Sequence, residues 1–103
     1  MDKILSLLGI AQRAKKVVSG EPFCIEGIRN GQIKLVFLAS DAGVNTTKRV
    51  TDKANFYNVL IINDFTSIEL SKAIGKNNRM VIGINDIGFA NKIKEIRWSY
   101  GKR

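Results

Sequence analysis

The sequence predicts an α/β domain: a three-layer α/β/α sandwich around a mixed, mainly parallel sheet of about four strands. Helical periodicities alternate with short apolar runs along the whole length. The runs are continuous rather than alternating, as in strands covered on both faces, and this is the ground for expecting parallel pairing. A hydrophobic fraction of 45% in 103 residues suits one core, so residues 1–103 are read as a single domain.

Ile4, Leu7, Leu8 and Ala11 follow the i, i+3, i+4, i+7 spacing of a first helix, with Arg13, Lys15 and Lys16 near its end, where the dipole favours cations. Val17-Val18 reads as a short edge strand. Ser19-Gly20-Glu21-Pro22 reads as a helix start, with Pro22 in the first turn where its missing N–H does no harm, and Gly31 as that helix's stop. Lys34 to Ala39 is the clearest strand. A third helix is expected over Asn45–Tyr57, with Asn45 as a natural N-cap and with Lys48, Arg49, Asp52 and Lys53 on its wet side. Val59 to Ile62 reads as a second buried strand. Thr66 and Glu69 have capping-box spacing and open a short helix through Leu70, Ala73 and Ile74, closed by Gly75. Met80 to Ile84 is a further strand, and Phe89, Ile93 and Ile96 mark the last helix. Phe56, Tyr57 and Phe65 read as core or hinge packing, with stacking on bases as the alternative. Residues 98–103 read as a frayed basic tail, with Lys92, Lys94, Arg97, Lys102 and Arg103 on a solvated face.

Composition narrows the chemistry. Lys and Arg number 17 against 9 Asp and Glu, for a net charge of +8, which favours a polyanionic partner. Histidine is absent, which removes Ser-His-Asp and Cys-His catalysis and the commonest metal ligand. The single Cys24 cannot form an internal disulfide or a thiolate cluster, and reads as a buried small hydrophobe in a reducing compartment. No phosphate-loop pattern of the Gly-x-x-x-x-Gly-Lys type is present. No cofactor, no metal and no catalysis are therefore expected. No apolar run approaches the roughly 20 residues that span a membrane, and no signal peptide is expected, so a cytoplasmic location is.

The stretch from Ala42 to Arg49 is the most informative. It leads from an apolar strand into a helix start, which presents unpaired N–H groups and a partial positive charge to an anion. Gly43 admits close approach of a ligand, Asn45 brings an amide, and Lys48 and Arg49 stand where cations oppose the helix dipole. That points to a nucleic-acid-binding tip. In a parallel sheet the loops after Ala39 and after Ile84 would share that end, bringing Asp41 and Asp86 close together.

Six motifs in order carry a resemblance. They are Lys16-Val17-Val18-Ser19-Gly20-Glu21, Ile28-Arg29-Asn30-Gly31, Lys34-Leu35-Val36, the run Asp41 to Lys48, Ala73-Ile74-Gly75-Lys76 with Arg79, and Gly88-Phe89-Ala90. Together, over roughly Leu5 to Ile93, the chain resembles the ribosomal protein L-seven-Ae family, in its bacterial ribosomal-protein-like branch. The resemblance implies binding of kink-turn RNA, a duplex bent sharply at tandem sheared G·A pairs, or of ribosomal RNA, and association with the ribosome. It implies RNA contacts from Ser19, Gly20 and Glu21, from Gly43, Val44, Asn45, Thr46, Thr47 and Lys48, and from Ile74, Gly75, Lys76 and Arg79. Within that set Gly43 admits the RNA backbone, Asn45 meets a guanine edge, and Thr46 and Thr47 offer hydroxyls or cap the helix. Lys48 meets a phosphate or guanine, Ile74 packs on an extruded base, and Lys76 and Arg79 meet phosphates. Aligned on Thr46-Thr47-Lys48, archaeal members carry Asn-Glu where this chain has Val44-Asn45. Guanine recognition is therefore expected to be weaker or different. A monomer is expected. The rival reading is a protein–protein adaptor of a ribosome-linked or RNA-processing complex with weak RNA affinity.

Overall fold

A computed structural model describes residues 2–101. The element order is α1 (Lys3–Arg13), β1 (Val17–Ser19), α2 (Glu21–Arg29), β2 (Leu35–Leu38), α3 (Val44–Phe56), β3 (Leu60–Ile62), α4 (Ser67–Ala73), β4 (Val81–Ile84) and α5 (Ile87–Gly101). The sheet order is β1-β4-β2-β3.

Alternation of side chains along the strands divides the interior into two. Leu35 and Phe37 of β2 and Ile82 and Ile84 of β4 face α1, α4 and α5, meeting Ile4, Leu8, Leu70 and Ile93. Val36, Leu38 and Val81 face α2 and α3, meeting Cys24, Ile28, Val50 and Ala54. This is the three-layer sandwich. Ile33 explains how closely α2 approaches the sheet: its side chain lies where a Cβ on Gly27 or on Gly83 would stand, 2.6 and 2.5 Å from its Cδ1. Burial pushes the Cys24 thiol up to about 12, and its Sγ lies 3.4 Å from the Val18 carbonyl.

The sheet corrects the expectation of mainly parallel pairing. Only β2 and β3 run parallel, while β4 is antiparallel to both β1 and β2. Continuous apolar runs report cover on both faces, and an antiparallel strand inserted between two others is covered just as fully. β3 is an edge strand with Leu60 exposed, so it is less buried than its composition suggests. Because β4 is reversed, the loop after Ile84 lies at the opposite end of the sheet from the loop after Ala39. Asp41 and Asp86 are therefore far apart in the fold. Phe65 is core, whereas Phe56 and Tyr57 are exposed. The tail expected to fray continues α5 to Gly101, with Ser99 Oγ donating to the Glu95 carbonyl at 3.1 Å; Lys102 and Arg103 lie outside the described residues.

Candidate nucleic-acid interface

β1, β2 and β3 all point the same way, so the segments that follow them, and the one that precedes β4, gather at one end of the sheet. This end holds Ser19–Glu21, Ala39–Lys48, Asn63–Ser67 and Ile74–Met80. It therefore brings together the three stretches that the family resemblance singled out.

Helices α2, α3 and α4 all begin here, and their N-termini differ. α4 is closed by its capping box. Thr66 Oγ1 accepts from Glu69 N at 3.2 Å, and Glu69 Oε1 accepts from Thr66 N at 2.9 Å. A second carboxylate adds to it: Asp41 accepts from Ser67 N at 2.8 Å and from Ser67 Oγ at 2.7 Å, which holds the Asp41 carboxyl below its usual range. α2 carries Glu21 in its first turn. α3 has no acidic residue in its first turn and no side-chain cap. Its N-cap is Gly43, not Asn45, which is the second residue of the helix and does not cap it. α2, with Gly20 at its N-cap, has no side-chain cap either; of these helix starts, α3 alone has neither a cap nor an acid in its first turn.

The loop that leads into α3 is held from within. Thr46 Oγ1 donates to Glu21 Oε1 at 2.9 Å, and Thr47 Oγ1 to the Ala42 carbonyl at 3.4 Å, so neither hydroxyl caps the helix. Arg49 grips the same Glu21 carboxylate through Nε and, at 3.1 Å, through Nη2. These donors, Arg49 first, lower the Glu21 pKa. Glu21 is thereby a tie between α2 and α3. Asn45 is exposed, and its side chain has no hydrogen-bond partner among the described residues. Lys48 Nζ lies 3.1 Å from Asp52 Oδ2 in an exposed pair one helical turn apart, an interaction of a few tenths of a kcal/mol.

The second loop follows α4. Gly75 adopts φ +68°, and the Lys76 and Gly75 amides close the helix on the carbonyls of Ser71 and Lys72, at 2.9 and 3.2 Å. Lys76 is left exposed. Arg79 is anchored through its backbone, its N–H donating to Ser71 Oγ at 2.8 Å, while its side-chain Nε is buried without a hydrogen-bond partner among the described residues. Ile74 corrects an expectation. It is 5% exposed and packs in the core with Leu70, so it offers no surface to an extruded base. Ile68, 77% exposed, lines a hollow of about 420 Å³ with Lys72, Gly75 and Lys76. Val44, 84% exposed, lines another of about 450 Å³ with Thr47, Lys48 and Asp52. Sequence reading missed Ile68 and the roles of Arg49 and Asp41. Ile68 had a signal, since it lies off the Leu70–Ile74 face of its helix; the partners of Glu21 and Asp41 are remote in sequence and had none.

Residues 2–94 match the model of the Ribosomal protein L7Ae/L30e/S12e/Gadd45 family. The chain is 51% identical over 87 residues to the RNA-binding protein YlxQ of Bacillus subtilis (strain 168), covering 84% of this chain and 87% of that one. It is 46% identical over 94 residues to the RNA-binding protein YlxQ of Enterococcus faecium, covering 91% and 90%. Among solved structures it resembles a protein with unknown function from Bacillus halodurans C, with a TM-score of 0.90 at 41% identity over 93% of this chain and 97% of that one. The fold is shared with a Giardia lamblia 15.5kD RNA binding protein, with a TM-score of 0.80 at 16% identity over 93% and 86%. The family model spans nearly the whole chain, both tip loops included, and on that ground the chain belongs to the Ribosomal protein L7Ae/L30e/S12e/Gadd45 family.

Proposed function

We propose that this chain is a non-catalytic RNA-binding protein that grips structured RNA, of the kink-turn or a kink-like class, at the start of α3. The single observation that carries the site is the open N-terminus of that helix, uncapped and free of acidic residues, with Lys48 and Asn45 beside it. Family membership and the RNA-binding relatives support the activity. A kink-turn crowds phosphates together. A basic protein that binds only the bent form shifts the RNA population toward it. Val44 and Ile68 give unstacked bases an apolar surface on either side of the tip, in the role the resemblance assigned to Ile74. Glu21, Thr46 and Arg49 act as positioning residues that hold the loop. A ribosomal RNA target, a cytoplasmic location and a monomeric state belong to the same reading.

The test is a titration against a kink-turn RNA and a straight duplex of equal length at two salt concentrations. Selective, salt-sensitive binding of the kink-turn supports the reading. Equal binding of both RNAs refutes kink selectivity, and salt-insensitive or absent binding favours the adaptor alternative.

A further inference from the structure

The end of the sheet opposite the α3 tip is also basic. The Asn85 N–H donates to the Lys16 carbonyl at 3.1 Å and the Lys34 N–H to the Ile84 carbonyl at 2.7 Å, extending the β1-β4-β2 pairing by one residue. Lys16 and Lys34 therefore flank Asn85 in a row across the strand ends, their backbones about 10 Å apart, and all three are exposed. Neither lysine meets a carboxylate among the described residues. Lys34 Nζ donates one hydrogen to the Gly31 carbonyl at 2.7 Å and keeps two for another partner. Beside the row, a hollow of about 450 Å³ is lined by Arg29, Asn30, Lys34, Tyr57, Ile87 and Lys94. The nearby acids are engaged: Glu26 pairs with Arg29 at 3.2 Å, and Asp86 accepts the Phe89 N–H at 2.9 Å as it starts α5.

Two further features mark this end. Phe56, 77% exposed, meets Tyr57 edge-on with ring centroids 4.9 Å apart. The first four helices close in the same way, each with one left-handed residue just past its end: Lys15, Gly31, Asn58 and Gly75. Glycine and asparagine adopt that conformation readily. Lysine does so against repulsion between its Cβ and the backbone, and here it adds a cation next to Lys16. Helix dipoles account for Arg29 at the end of α2. They do not account for Lys94, in the middle of α5, or for the exposed rings.

We propose that this end is a second RNA-binding surface. It takes a single-stranded segment through phosphate contacts at Lys15, Lys16, Lys34 and Lys94 and through base stacking on Phe56 and Tyr57, so that one molecule bridges two RNA segments. A row of cations that leads to exposed aromatic rings suits bases on a phosphate backbone better than an acidic peptide, which has no flat faces to stack. Only the bridging rests on the α3 tip being an RNA site.

The experiment uses the full chain with saturating kink-turn RNA and a short labelled oligouridine, read by fluorescence anisotropy. Oligouridine is expected to bind alongside the kink-turn RNA. Lys16→Gln with Lys34→Gln weakens that binding and makes its logarithmic salt slope shallower by about 1.4, while Lys48→Ala leaves it intact. Phe56→Ser weakens it without changing the slope, which a purely electrostatic surface would not show. Wild-type oligouridine binding by the double lysine variant, or displacement of the oligonucleotide by kink-turn RNA, overturns the proposal. Equal competition by an oligoglutamate peptide assigns the surface to acidic proteins and also overturns it. If kink-turn RNA fails to bind while oligouridine binding still depends on Lys16 and Lys34, the second surface is supported and the tip reading alone falls.

Discussion

Arg49 of α3 and Glu21 of α2, twenty-eight residues apart in sequence, form a two-pronged ion pair, and Thr46 donates to the same carboxylate. The pair fixes how the starts of the two helices meet. Because these bonds favour the ionised form, the Glu21 pKa is depressed, and so is that of Asp41, bonded to Ser67. A depressed carboxylate contributes stability that is fully present above its unfolded pKa and is lost as pH falls through its folded one. Thermal stability should therefore hold from neutral pH down to about pH 5 and decline below about pH 4. Glu21→Gln should make that decline shallower and should weaken RNA binding at neutral pH by loosening the tie that holds the start of α3. Melting curves across pH, with a binding titration at pH 7, check both.

Lys48 pairs with Asp52, and under the proposed function an incoming phosphate competes for it. Lys48→Ala should weaken RNA binding and lower its salt slope by about 1. Asp52→Asn should do the reverse to affinity, since it frees Lys48 and removes a negative charge from the groove. Titrations of both variants over a salt series distinguish this from a loss of fold, which would weaken both.

The two isoleucines of the α4 region should separate cleanly. Ile74→Ala opens a cavity in the core and should cost about 2–5 kcal/mol of stability. Ile68→Ala should leave stability within about 0.5 kcal/mol and reduce RNA affinity. Denaturant melts alongside binding titrations check the pair; an exchange of the two phenotypes would return the base-packing role to Ile74.

Gly83→Ala should destabilise by about 1–3 kcal/mol, because the new Cβ would stand 2.5 Å from Ile33 Cδ1. Adding Ile33→Val, which removes that methyl, should recover part of the loss. Urea denaturation of the single and double variants measures the recovery.

Much of the fold is legible in local sequence because period and caps are local. The Thr66–Glu69 box and the left-handed Gly31 and Gly75 stand where residue types alone put them. Strand direction is not local. Met80–Ile84 reads the same whichever way it runs, and its reversal moved Asp86 to the other end of the molecule. Asn45 shows the limit of cap propensity, since Gly43 took the N-cap and left the amide facing outward. The Leu70–Ile74 spacing already contained the burial of Ile74, which the family resemblance overrode. Nothing near Glu21 in sequence announces Arg49.

The reversed β4 also governs the order in which the molecule can assemble. Val17 has no strand partner until Ile84 arrives, and β1 never touches β2. As the chain leaves the ribosome, the β2–α3–β3 unit can close early, since its pairing is local. The first strand must wait for the fourth. Both ends of the sheet, and with them both basic surfaces, are completed in that single late event. A nascent chain halted before Val81 would carry the α3 residues of the tip without the frame that aims them.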